Sequence, residues 1–256
     1  MKIIMLASDC NSTQAIYNEI NKEFNVSKLI IEQPISLLTL AKKRVKRIGY
    51  FQVFGQIMLR ILLVPLLKYI SKKRVQEIKA LYNLNFEQLP LNKIINVDTV
   101  NNDLSITAII DEKADLIIVN GTRIISSKVL LAIGNVPIVN THLGITPNYR
   151  GSHSGYWSLV NNEPNNFGIT IHKVDSGIDT GSIIKQQTCG ITPKDNYYTY
   201  PFLQIGIAKT EMIDFLIEFK KNKEIRLIEK KLADSKLYYN PTIFEYFYNL
   251  ISKKVK

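Results

Sequence analysis

The chain has 256 residues and a mass of 29.3 kDa, enough for one large domain with little to spare. Hydrophobic residues at 46% and charged residues at 21% exclude a disordered or collagen-like chain. Two cysteines, Cys10 and Cys189, exclude a disulfide scaffold and point to a reducing compartment, so the expected location is the cytoplasm. The formal net charge of +11 is not spread evenly: eleven Lys or Arg and a single acid, Glu77, lie between Ala41 and Lys79, and the remainder is close to neutral. A globally basic nucleic-acid binder is therefore a poor description.

In chain order, residues 2–7 read as a buried first strand rather than a signal peptide, because the apolar run stops at Ser8-Asp9. Asn11 is a candidate N-cap with Gln14 three residues on, and Ile16, Ile20 and Phe24 follow at helical spacing. Residues 26–31 form a second strand and 93–97 a third. Asp103 is placed to cap a helix carrying Ile106, Ile109 and Ile110. Residues 115–119 are almost wholly apolar, as in a sheet covered on both faces. Ser127–Ile133 reads as a short helix closed by Gly134, and 136–139 as another buried strand. This rhythm predicts an α/β fold, a Rossmann-like, doubly wound, mostly parallel sheet, whose site lies beyond the carboxyl ends of its strands. Residues 168–174 then alternate as a strand, 175–181 form a Gly/Asp turn, and 182–187 return. Ile205, Ala208, Met212, Phe215 and Phe219 make one helical stripe, 225–229 a strand, and 238–250 a final helix or tail. The expected organisation is a catalytic domain over 1–190 with a basic, partly apolar helical insert at about 41–80, and a small appendage over 191–256.

Within the insert, residues 53–70 approach the length of a membrane span, but Gln56, Arg60 and Pro65 interrupt them. An Arg at mid-bilayer costs about 2.5–3.5 kcal/mol on insertion scales, which argues against a span. The preferred reading is amphipathic helices packed on the domain with basic ends in water. The alternatives are an in-plane contact with an anionic membrane surface, which would make the protein peripheral to the inner membrane, and attraction of a phosphate-bearing substrate.

All three histidines, His142, His153 and His172, lie within 31 positions. Asn140 and His142 are one residue apart, so at an extended strand end their side chains share a face. Asp179 follows on a Gly-rich turn, from which a carboxylate could reach the imidazole. These types suit acyl transfer to an amine. The amide donates to a carbonyl oxygen gaining charge; the imidazole takes a proton or stabilises the anion; the acid holds the imidazole's tautomer. No metal site is expected, because the cysteines are isolated and the histidines lack ligand spacing.

Four ordered segments resemble the folate-dependent formyltransferases: Asn140-Thr141-His142; Pro147-Asn148-Tyr149-Arg150-Gly151; Gly168-Ile169-Thr170-Ile171-His172; and Asp179-Thr180-Gly181 with Gln186. The resemblance extends from about Asp115 to Gln187. It implies Asn140, His142 and Asp179 as the catalytic trio. It also implies 10-formyltetrahydrofolate as co-substrate, held near Asn120, Gly121, Thr122, Arg123 and Ile124 and by the turn carrying Asp175 and Gly177. Gly144, Tyr149, Arg150, Gly151, His153 and Trp157 are the acceptor-side candidates, with Gly144 expected to leave room for a bulky acceptor. His172 reads as a structural histidine, and Asp175 also as plain turn chemistry.

Three acceptors compete within this family. A methionyl-tRNA acceptor would call for a further barrel domain, and 66 residues follow Gly190. The turn 8–13 lacks the glycines that cradle phosphate in the purine-pathway relatives. What remains is the sugar N-formyltransferases, with a nucleotide-linked amino sugar as acceptor in surface-glycan synthesis; nucleic acid is not expected as a partner, and a homodimer is one assembly considered. The alternatives are a methionyl-tRNA-type enzyme and a membrane-associated, non-catalytic binding protein on the same scaffold.

Overall fold

The computed structural model describes residues 1–229 and 234–256, with every side chain there except that of Leu37. β1 (Lys2–Ser8), β2 (Asn25–Glu32) and β3 (Ile94–Val97) form one half of the main sheet, and β4 (Leu116–Asn120) and β5 (Ile138–His142) lie on the other side of β1. These five strands are parallel. β7 (Gly168–Lys173) and β8 (Ile183–Thr188) complete the seven-stranded order β3-β2-β1-β4-β5-β7-β8, with β7 antiparallel to both of its neighbours. The fold is the Rossmann-like, doubly wound arrangement expected from the alternating apolar runs.

Strand residues alternate between two buried layers. Ile3, Met5, Leu29, Leu116 and Ile118 face α1 (Asn11–Glu23) and α9 (Tyr200–Asn222). Ile4, Leu6, Ile30, Ile117 and Val119 face α6 (Asp103–Glu112) and α7 (Ser127–Ile133). Both faces being covered explains why β4 carries no polar residue before Asn120. α9 thus belongs to the main core. Residues 191–256, expected as an appendage, supply it through Ala208, Met212, Phe215 and Phe219.

Several expectations at element ends are corrected. Cys10, not Asn11, is the N-cap of α1, and no side chain closes it. Asn102, not Asp103, caps α6, its side chain accepting from the Ser105 N–H. β5 runs to His142, so Asn140 and His142 sit inside the strand rather than past it. Residues 225–229 are not a strand: a single backbone bond, Ile228 N–H to the Ile183 carbonyl at 2.8 Å, ties this segment to β8.

The basic insert is helical. It comprises α2 (Leu37–Ile48), α3 (Tyr50–Met58), a π turn (Leu59–Leu63), α4 (Val64–Ile70) and α5 (Lys72–Leu81). The π turn precedes Pro65, whose ring would collide with the carbonyl four residues back in a regular α-helix. Tyr50–Ile70 is therefore a continuous helical stretch through the proline. One face, Leu59, Leu63 and Leu67, packs with Ile78 against α8 (Ser154–Val160), the start of α9 and α10 (Ile243–Ser252). Arg74 fixes the insert to the loop before α9 by a two-pronged pair with Asp195, at 2.7 and 3.0 Å. Asp195 is 2% exposed. Arg74→Met leaves that carboxylate buried without its cation, and urea unfolding is expected to report a loss of about 3 kcal/mol.

A second, two-stranded ribbon pairs β6 (Tyr149–Gly151) in parallel with β9 (Lys236–Tyr238). It stands beside the carboxyl end of β5, where the Tyr149 carbonyl meets His142.

Candidate active site

The order of strands reverses at β1, which has β2 on one side and β4 on the other. A doubly wound sheet opens a crevice beyond its carboxyl ends at such a place. Here a cleft of about 520 Å³ is lined by Ser12, Asn120–Ile125, Asn140, His142, Gly151, His153 and the 174–179 turn. That volume lies within the ~300–1,000 Å³ range of small-molecule sites.

Asn140, His142 and Asp179, far apart in sequence, meet in this cleft. The His142 Nδ1 lies 3.3 Å from Asp179 Oδ2. Its Nε2 lies 2.8 Å from the Tyr149 carbonyl. Both neighbours are acceptors. A neutral ring can donate to only one of them, whereas an imidazolium donates to both, so the surroundings are arranged to receive a proton on His142. Burial pushes the imidazole below its ordinary value, with Asp179 and the Tyr149 carbonyl pulling the other way.

Asp179 sits at φ 51° and is fixed from three sides. Gly151 N–H donates to its Oδ2 at 3.0 Å, and the imidazoles of His142 and His172 flank it. Burial alone would raise its carboxyl, but the groups around it outweigh that and hold it at about 2. It is a carboxylate at neutral pH.

His172 orients the amide. Its Nδ1 lies 2.7 Å from the Lys173 carbonyl, which can only accept, so Nδ1 carries the hydrogen. In the neutral ring Nε2 then holds a lone pair, and Asn140 Nδ2–H donates to it at 3.2 Å. This leaves the second Asn140 N–H for the cleft. β5 and β7 pair antiparallel with Asn140 opposite His172 and His142 opposite Thr170, which is why the two strand motifs meet. Thr170 accepts from the Thr146 N–H at 3.1 Å and donates to the Gly144 carbonyl at 2.8 Å. Gln186 adds a bond to the Thr146 carbonyl. The 144–146 loop is thereby clamped under His142.

The remaining expected residues divide. Asn120, Gly121, Thr122, Arg123, Ile124, Asp175 and Gly177 all line the cleft. The Arg123 side chain, however, is committed elsewhere. It binds Glu32, the Asp98 carbonyl and the Gln33 carbonyl, and so staples the loop to β2. Asn120 is also committed, donating to Ser12 and Thr13 at the start of α1. Asp175 closes its own turn by accepting from Gly177 N–H and the Thr180 hydroxyl.

On the acceptor side, four expectations are overturned. Gly144 does not open space: a Cβ there would lie 2.4 Å from Ser154 Cβ and 2.7 Å from His142 Nε2. Tyr149 is buried, stacked on Tyr238 and hydrogen-bonded to Glu163, and only its carbonyl serves the site. Trp157 donates to the Tyr239 carbonyl and stacks on Tyr238, outside the cleft. Arg150 donates to the Ile178 carbonyl and to Ser235, pinning the loop before Asp179. Gly151 and His153 do line the cleft. His153 stacks on Tyr197, and burial pushes it down to about 4.

A second chamber has no signal in the sequence. It holds about 810 Å³, adjoins the cleft through Ser12, Leu143 and His153, and is walled by α2, α3 and the start of α9. Arg44 and Arg60 line it. Among the described residues neither forms an ion pair; Arg44 donates only to Gln56 Oε1, at 3.3 Å. Burial and the charge of Arg60 push Arg44 down. Two like charges in a chamber whose lining carries no acid make it electropositive. Among the described residues no group of three or more His, Cys, Asp and Glu is placed to hold a metal.

Comparison with known proteins agrees with this geometry. The family model described as formyl transferase matches residues 68–201, just over half of the chain. The methionyl-tRNA formyltransferase of Caldanaerobacter subterraneus is 26% identical over 152 residues, covering 59% of this chain and 48% of that protein. The chain thus spans about half the length of the curated relatives it matches. Phosphoribosylglycinamide formyltransferase from Bacillus halodurans has the same fold, with TM-score 0.56, 18% identity, 88% of this chain and 97% of that one covered. So does a sugar 3N-formyl transferase solved with dTDP and 5-N-formyl-THF, with TM-score 0.51, 17% identity and coverage of 93% and 69%. With a parallel sheet, a switch-point cleft and a family match over half its length, this chain belongs to the formyl transferase family.

Proposed function

We propose that the protein transfers a formyl group from 10-formyltetrahydrofolate to the amine of a nucleotide-linked amino sugar. The observation that carries this reading is the meeting of Asn140, His142 and Asp179 in one cleft. The donor supplies a formyl group already activated on nitrogen, so no Ser or Cys nucleophile is needed. The walls at 119–125 and 174–179 suit it: they carry apolar Val119, Ile124, Val174 and Ile178, with the Arg123 charge turned away.

The chain's part in the reaction follows from its hydrogen bonds. Asn140 donates its remaining N–H to the formyl oxygen as negative charge gathers there. The proton that the attacking amine loses is taken up at the His142–Asp179 pair, where the Tyr149 carbonyl and Asp179 hold the imidazolium. Asp179 stays charged and keeps the ring in register. The proton then passes to the departing nitrogen as the carbon–nitrogen bond breaks, giving the formamide and tetrahydrofolate.

For the acceptor, the Arg44–Arg60 chamber favours a small phosphate-bearing molecule, and a relative of this fold was solved with dTDP. The names of the curated relatives favour methionyl-tRNA instead. Incubation of the protein with 10-formyltetrahydrofolate and a panel of nucleotide-linked amino sugars, beside methionyl-tRNA, separates the two. A sugar that gains the mass of one formyl group supports the proposal. Formylation of the tRNA alone, with affinity falling steeply with salt, overturns it.

A further inference from the structure

Tyr50–Ile70 has an apolar residue on almost every face. Leu59, Leu63 and Leu67 are packed against the body, yet Tyr50, Phe51, Phe54, Leu62, Leu66, Tyr69 and Ile70 are exposed. Only 33% of its most apolar window is buried. A helix of this length runs roughly 30 Å, and one that is hydrophobic all round is ordinarily covered on all sides. A second apolar face continues the first. On α10, Phe244, Phe247, Tyr248 and Ile251 are exposed, Ile251 at 80%. The two are locked together: Phe51 stacks on Phe244 at 5.3 Å, and Gly55 approaches Thr242 so closely that a Cβ would lie 2.6 Å from Thr242 Cβ. The double strip is a contiguous exposed apolar surface, of the kind that marks an interaction site.

Charge identifies what covers it. Exposed Lys42, Lys43, Lys46 and Arg47 precede the strip in α2, Lys72 and Lys73 follow it, and Lys253 and Lys254 end α10. The acids near it are already occupied: Glu77 pairs with Arg74 and Lys194, and Glu245 closes the capping box of α10. A second copy of this chain would bring the same positive charge to the contact, and the repulsion opposes it. An anionic bilayer answers both features, taking the apolar side chains at its headgroup boundary and the lysines at its surface.

We propose that the exposed faces of Tyr50–Ile70 and α10 form an in-plane docking surface for an anionic lipid bilayer. The surface lies outside the catalytic trio, so the proposal stands or falls separately from the reaction.

The test is cosedimentation of the full chain with vesicles of phosphatidylcholine alone or with about 30 mol % phosphatidylglycerol, in ~0.1 M and ~1 M NaCl. Binding to the anionic vesicles at least about tenfold stronger than to neutral ones, and weakened by salt, is expected. The triple variant Phe54→Ser, Leu62→Ser, Leu66→Ser is expected to lose that binding by about tenfold or more while keeping formyl transfer. Should it fold poorly, Leu62→Trp reads the same contact by a blue-shifted emission on anionic vesicles, since Trp157 is the one native tryptophan. Equal binding to both vesicle types, or an unmoved Leu62→Trp spectrum, overturns the proposal. So does a concentration-dependent dimer that the triple variant abolishes in the absence of vesicle binding.

Discussion

Replacing Asn140 with alanine is expected to lower kcat for formyl transfer by about 10²–10³. The amide donates one hydrogen to His172 and offers the other to the cleft, so alanine removes the donor that meets the oxygen as it becomes anionic. The effect belongs to the transition state, and KM for the donor is expected to change little. Asn140→Asp preserves shape but replaces a donor with a negatively charged acceptor, and is expected to be at least as damaging. His172→Gln tests the positioning role. If His172 acts through Asn140, kcat falls while donor binding and thermal unfolding stay near wild type; a variant that only melts early assigns His172 to stability alone. Wild-type turnover in Asn140→Ala would remove the oxyanion assignment.

Replacing His142 with alanine is expected to cost about 10²–10⁴ in kcat. Its pH dependence carries the sharper information. As a base the ring must be neutral to act, so kcat/KM falls on the acid side as it gains a proton. Burial places that limb below the ordinary imidazole value. Asp179 favours the charged ring, so Asp179→Asn removes a stabiliser of imidazolium and moves the limb to still lower pH. Asp179 itself, held at about 2, adds no limb in the working range. A limb that shifts upward, or stays in place, in Asp179→Asn would show that another group titrates.

Much of the fold was legible because period and burial coincide. The apolar run of β4 and the alternation of β7 each follow directly from how many faces of the strand are covered. The trio was legible for a related reason: Asn140 and His142 share a strand face, and the strands they pair with are read from the same alternation. What could not be read depends on where a side chain turns once the chain is folded. Arg123 and Arg150 look like ligand-binding charges in sequence, yet each is used on backbone carbonyls that come from distant segments. Gly144 looks like added space, but Ser154 and His142 fill that space from two other elements. Tyr149 is an acceptor-side candidate in the sequence, whereas in the fold its carbonyl is the part that touches His142. The Arg44–Arg60 chamber needs the insert and α9 brought together, and no local pattern encodes that meeting.

The small ribbon of β6 and β9 sets a limit on how this chain can be divided. Gly151 holds Asp179 from β6, and β6 is itself paired with Lys236–Tyr238. The family match ends at residue 201 and begins at residue 68, leaving out β1, β2 and β9. A fragment cut at those borders would keep every residue of the trio and lose the brace beneath its acid, so transplanting the chemistry to another scaffold requires carrying a tail segment that the motif itself never mentions.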